Sequence, residues 1–156
     1  MAKVKAPRPV NITNRKAEHE YYFEQELEAG IILTGTEIKS IRMGYANIND
    51  AYCMIEQGEL YVRGLHISEY SAGSYFNHEA KRTRKLLLRK PEINKLIKKL
   101  KEKGLTIIPF KMYVNDRGFC KLKIALARGK KTFDKRETLK EKDNKREMDR
   151  VKKDYK

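Results

Sequence analysis

The sequence predicts a mainly β fold with helices. The expected form is a small closed antiparallel β-barrel of about six strands, OB-like, with two to three helices and a basic C-terminal tail. Three observations lead there. Gln57-Gly58 and Asn115-Asp116-Arg117-Gly118 each sit between alternating apolar segments, which marks two hairpins. Ile93, Leu96, Ile97 and Leu100 recur at i, i+3, i+4 and i+7, which marks one amphipathic helix. Residues 129–156 follow neither pattern: of 28 residues, 12 are Lys/Arg and 7 are Asp/Glu, with no proline and no glycine after Gly129. Closure of the sheet removes exposed strand edges in so short a chain.

The elements follow in order. Residues 1–13 carry Pro7 and Pro9 with basic residues and read as a flexible arm. Residues 20–33 fit two strands joined near Glu28-Ala29-Gly30, with Tyr21, Phe23 and Gln25 alternating against Tyr22, Glu24 and Glu26. Thr36 and Gly44 bracket a short helix as N-cap and C-cap, with Ile38 and Ile41 on one face. Residues 51–56 and 59–63 form the first hairpin. Residues 71–85, with Tyr75, Phe76, Asn77, His78, Lys81, Arg82, Arg84 and Lys85, read as a long basic surface loop, and long loops in compact domains are usually functional. Pro91 opens the amphipathic helix and Gly104 stops it. Residues 105–114 and 119–126 form the second hairpin, where Pro109 requires an edge or a bulge.

Charge narrows the function. The chain of 156 residues holds 36 Lys/Arg and 21 Asp/Glu, a net charge of +15. The tail accounts for +5 of this, so residues 1–128 are basic in their own right. That balance points to a polyanion, and nucleic acid leads because the tail lacks a wide apolar face for a membrane. The tail cannot bury enough surface to offset an ordering entropy of roughly 1–2 kcal/mol per residue. It is therefore expected to be disordered when free and to fold against a partner, aided by i,i+4 pairs such as Glu141/Lys145 and Asp149/Lys153. No apolar run is long enough to span a bilayer, and Met1 to Lys5 has no apolar region behind it, which argues against a signal peptide. Cys53 and Cys120 read as reduced core thiols of a cytoplasmic protein, without the spacing of a zinc site.

Catalysis finds little support. Gly129-Lys130-Lys131-Thr132 resembles the end of a phosphate-binding loop, but Ile124 occupies the place of the first glycine and Lys131 that of the magnesium ligand. Glu37-Ile38-Lys39 would suit a metal-dependent nuclease only with a further carboxylate, such as Glu24 or Glu26. The three histidines lack ligand partners at useful spacing. No metal, cofactor or reaction is expected. Aromatics, a basic loop and a basic tail are instead what a structured RNA needs: stacking surfaces and phosphate contacts. A generic ribosomal or OB-type RNA-binding protein is the alternative to any more specific reading.

Several motifs stand together in order. They are Asn14-Arg15-Lys16-Ala17, His19-Glu20-Tyr21, Glu28-Ala29-Gly30-Ile31, Gly35-Thr36-Glu37-Ile38-Lys39-Ser40, Asn77-His78, Arg84-Lys85-Leu86-Leu87-Leu88, Lys103-Gly104, Ala125 to Lys131 and Asp134-Lys135-Arg136. In this register the chain resembles the SmpB family of SsrA-binding proteins, partners of transfer-messenger RNA (tmRNA) in bacteria. The resemblance implies an OB-like barrel without enzymatic activity, which binds the tRNA-like domain of tmRNA and delivers it to stalled ribosomes for trans-translation. Elongation factor Tu and alanyl-tRNA synthetase act on the same RNA, and a monomer is expected. On this resemblance Asn14, Arg15, His19, Tyr21, Glu37, Lys39, Arg42, Asn77 and His78 form the tmRNA face. Lys81, Arg82, Arg84 and Lys85 add phosphate contacts, to tmRNA or to ribosomal RNA. Lys130, Lys131, Phe133, Asp134, Lys135 and Arg136 begin the tail that senses a vacant decoding site and mRNA channel. Many members of the family have His where this chain has Phe133, so a ring can still stack there but an imidazole hydrogen bond is lost.

Overall fold

The computed structural model describes residues 10–70, 77–130, 136 and 140–148. Among them, β1 (Asn11–Thr13), α1 (Arg15–Glu20), β2 (Tyr21–Ile31), α2 (Gly35–Arg42), β3 (Ala46–Asn47) and β4 (Tyr52–Glu56) come first. They are followed by β5 (Glu59–Arg63), β6 (His66–Ile67), β7 (Arg84–Leu87), α3 (Lys90–Leu100), β8 (Leu105–Val114) and β9 (Cys120–Gly129). Residues 140–148 form a further, exposed helix. Six strands pair antiparallel in a ring, β8-β4-β5-β7-β2-β9, which returns from β9 to β8. β1 extends the free part of the β8 edge, and β3 pairs with β6 apart from the ring.

The two hairpins form where the turn residues place them. Gln57 and Gly58 both have positive φ, 50° and 76°, which suits the two-residue turn between β4 and β5. Between β8 and β9, Asn115 folds the turn by accepting from the amides of Arg117 (3.1 Å) and Phe119 (2.9 Å) on its Oδ1. Pro109 has no N–H to give, and the β8–β9 register slips between Pro109 and Lys111, where that absence does least harm.

Four features differ from the sequence reading. Residues 20–33 hold one long strand rather than two, because β2 stays paired with β9 from Tyr21 to Gly30. Gly30 is not at a turn: a Cβ there would lie 3.4 Å from that of Leu87, so glycine lets β7 approach. Residues 11–13 belong to β1, tied to β8, and not to an arm. The α2 N-cap is Thr34, two residues earlier than Thr36, because Thr34 and Glu37 close a capping box. Arg84 and Lys85 lie in β7 rather than in a loop, paired with Val62 and Tyr61.

Leu60, Leu65, Ile67, Leu86, Ile107, Met112, Leu122 and Ile124 fill the ring, and each contributes about 1.5–3 kcal/mol by burial. α3 buries Ile93 and Leu96 and turns its lysines outward. Cys53 and Cys120 are free and buried, and burial pushes both thiols up, Cys120 to about 12, so neither is a reactive thiolate. Gly64 is the tightest joint. Its φ is +74°, and an added Cβ would sit 2.6 Å from the Asp50 carbonyl oxygen. Gly64→Ala is expected to lower stability by about 2–4 kcal/mol, seen as a lower urea midpoint. An unchanged midpoint would show that the Asp50–Gly64 approach relaxes freely.

Candidate nucleic-acid interface

The site is organised by α2 and the chain from Asn77 into β7. Glu37, at the third position of α2, is fully buried. Its Oε1 accepts from the Thr34 amide (2.9 Å) and from Arg82 Nη2 (2.6 Å), and its Oε2 accepts from Arg84 Nε. Burial pushes its carboxyl up, but the hydrogen bonds from Arg82, the Thr34 amide and Arg84 outweigh this and hold it below the ordinary glutamate value. Arg84 is also fully buried. Its two Nη atoms donate to the carbonyls of Leu65 (2.8 Å), Arg82 (2.9 Å), Ala80 (3.2 Å) and Glu79 (3.4 Å). Desolvation lowers the Arg84 pKa, while the adjacent Glu37 opposes that shift. The pair therefore clamps α2, β7 and residues 79–82 together and presents no charge of its own to a phosphate in this arrangement.

His78 completes the clamp. Its Nε2 lies 2.9 Å from the Ile67 carbonyl, which can only accept, so that nitrogen carries the proton. In the neutral ring Nδ1 then accepts from the Thr36 hydroxyl at 2.9 Å. Asn77 holds Tyr70 like a strand partner, donating to its carbonyl (2.7 Å) and accepting from its amide (3.2 Å). Lys39 lies over the Tyr70 ring, 5.5 Å from its centroid. The cations turned to solvent on this frame are Lys39, Arg42 and Lys81, with Arg82 half-exposed and Glu79 an exposed acid beside them. Lys85 pairs with Glu59 at 3.4 Å across β5 and β7.

A second group surrounds α1. Asn14 is buried, its Nδ2 donating to the carbonyls of Ile48 and Pro109 (3.4 Å each) and its amide to Phe110 (2.9 Å). Those bonds pin α1 to the β8 bulge. Arg15 is exposed, His19 is half-buried with Nδ1 covered and unbonded, and Tyr21 packs on Ala17, Ile108 and Ala127. Lys130 docks on the same helix: its amide donates to the Glu20 carbonyl (2.8 Å), its Nζ to that of Glu18 (3.0 Å), and the ammonium sits 4.8 Å from the Tyr22 centroid. Lys131, Phe133, Asp134 and Lys135 lie outside the described residues, while Arg136 is helical and exposed.

The nine residues expected on one face thus form two groups. α1 precedes the 11-residue β2 and α2 follows it, so the groups stand at opposite ends of that strand, although Asp50 lines both the hollow beside Asn14 and Lys16 and the one that holds Lys81. Only Glu37, Lys39, Arg42, Asn77 and His78 share a frame. Arg84 joins it from inside rather than as a surface cation, while the half-exposed Arg82 bonds Glu37. Glu37 is fully buried with both carboxylate oxygens bonded to protein donors, and no three His, Cys, Asp or Glu side chains gather into a metal site among the described residues. No helix among the described residues is long and apolar enough to cross a membrane. The sequence reading missed Tyr70 and Phe119. An aromatic just after a tight hairpin turn was the available signal for Phe119.

Comparison with known proteins identifies the family. The SmpB protein family matches residues 11–154. The chain is 55% identical to an SsrA-binding protein of Phocaeicola vulgatus over 93% of this chain and 97% of that one. It is 54% identical to an SsrA-binding protein of Cytophaga hutchinsonii over 91% and 93%. A solved structure described as "tmRNA-SmpB: a journey to the center of the bacterial ribosome" superposes with a TM-score of 0.68 at 44% identity, covering 86% of this chain and 95% of that one. With the family matching residues 11–154 and relatives more than half identical over at least nine-tenths of its length, the chain belongs to the SmpB family.

Proposed function

We propose that this protein binds the tRNA-like domain of tmRNA through the α2–β7 frame and delivers it to stalled ribosomes for trans-translation, while residues 129–156 read the vacant decoding site and mRNA channel. The observation that carries this reading is the separation of the two groups. The tail leaves the body beside α1, held there by Lys130 at the Tyr21 end of β2, while the exposed cations of α2 follow its Ile31 end. One end can hold tmRNA while the other addresses the ribosome. The six-stranded ring acts as an OB-like closed barrel, a rigid spacer between the two. Lys39, Arg42 and Lys81 meet phosphates, and Glu37 and Arg84 position them rather than touch RNA. The α1 group supports the tail root as well as any RNA that reaches it. The protein works as a cytoplasmic monomer without a reaction of its own, on an RNA that elongation factor Tu and alanyl-tRNA synthetase also use.

The test is competition binding of the full chain to the tRNA-like domain against a plain RNA duplex over a salt series. Each phosphate contact steepens the log K against log salt slope by about 0.7–0.9. A preference for the tRNA-like domain that survives high salt is expected. A preference that vanishes with salt would replace this reading with a generic RNA-binding barrel.

A further inference from the structure

The β8–β9 turn carries an aromatic ring that the fold does not use. Phe119 is 64% exposed, whereas the other described phenylalanines, Phe23 and Phe110, pack on each other at 5.1 Å. Its backbone is held rigidly. The Asn115 amide donates to the Phe119 carbonyl (2.8 Å), the Phe119 amide donates to Asn115 Oδ1 (2.9 Å), and the Gly118 amide donates to the Asn115 carbonyl (2.9 Å). Gly118 has φ +84°, and Arg42 Nη2 would lie 3.2 Å from a Cβ placed there. The last residue of α2 thus reaches across to the turn, which places Phe119 beside the frame assigned to RNA. Arg117 adds a second exposed guanidinium and Asp116 one carboxylate, so cations outnumber the acid around the ring.

We propose that Phe119 is a stacking platform for an unpaired base of the bound RNA, with Arg42 beside it on the flanking phosphate. The proposal rests on the assignment of the α2 frame to tmRNA. With its backbone held, the ring has only χ1 and χ2 to lose when a base covers it, and every base offers a π-face. A protein partner or a second copy of the chain would also cover an apolar ring, but the guanidiniums around it favour a nucleotide, whose phosphate accompanies its base.

The chain contains no tryptophan, so Phe119→Trp introduces a single reporter at the turn. With the full-length protein and the isolated tRNA-like domain, Phe119→Trp is expected to keep near wild-type affinity and to show quenched indole emission on binding. Phe119→Ala and Phe119→Leu are expected to bind about 10- to 100-fold more weakly, because leucine restores apolar area but not a π-face. Unquenched emission from a Phe119→Trp protein that still binds would overturn the proposal and leave the α2 frame standing. Wild-type affinity in Phe119→Leu would do the same. A wild-type chain with no preference for the tRNA-like domain would remove both.

Discussion

Arg84→Ala is expected to lower the stability of the protein by about 3–5 kcal/mol, because it leaves the buried Glu37 carboxylate with one fewer cation and strips four carbonyls of a donor. The reading is a lower urea midpoint at unchanged slope, and a thermal midpoint lower by roughly 10 °C or more. Glu37→Gln keeps the shape but leaves Arg84 buried without its counter-charge, so a loss of similar sign is expected. Acid should show the same clamp. The Glu37 carboxyl is held below its ordinary value in the folded protein, so its contribution is complete above the ordinary glutamate pKa. It is lost as pH falls from that value through the lower folded one. Wild type should therefore lose stability with acid more steeply than Glu37→Gln. An unchanged urea midpoint in Arg84→Ala with weakened RNA binding would mean that Arg84 turns outward to a phosphate, and the clamp would be the wrong description.

Removal of residues 131–156 is expected to abolish tagging in a reconstituted translation assay while binding of the tRNA-like domain stays within about threefold of wild type. Lys130 is kept because its amide and ammonium both bond the end of α1. The ring and the α2 frame are built from residues before 131. Fully helical, it would reach about 40 Å at 1.5 Å per residue, far enough to enter an empty mRNA channel but not one that mRNA fills. Residues 140–148 are helical and exposed, with acid and base mixed along them. Parallel loss of tagging and RNA binding would show that tail and body are one binding surface, against the two-ended arrangement.

Much of the fold was legible because its signals are short. Gln57-Gly58 and residues 115–118 mark their hairpins within four residues, and the Ile93, Leu96, Ile97, Leu100 repeat marks α3 within eight. Pro109 announced a bulge by lacking an N–H. The errors arose where a residue answers to a distant neighbour. Gly30 looked like a turn and is instead the clearance for Leu87. Thr36 looked like the cap, but its hydroxyl bonds His78, and Thr34 caps through Glu37. Arg84 looked like a surface cation in a basic run, and no local rule distinguishes it from Lys81 or Lys85.

By itself the sequence determined the charge, the two hairpins, the lysine-faced helix, the break at Gly129 and the family motifs. All of these are carried by composition or by residues close in the chain. Only the tertiary structure decided which charges face outward. Glu37 meets Arg84 across 47 residues and Asn14 meets Pro109 across 95. Pairings at that separation form only when the ring closes, since burial and desolvation belong to the packed body and not to any stretch of chain.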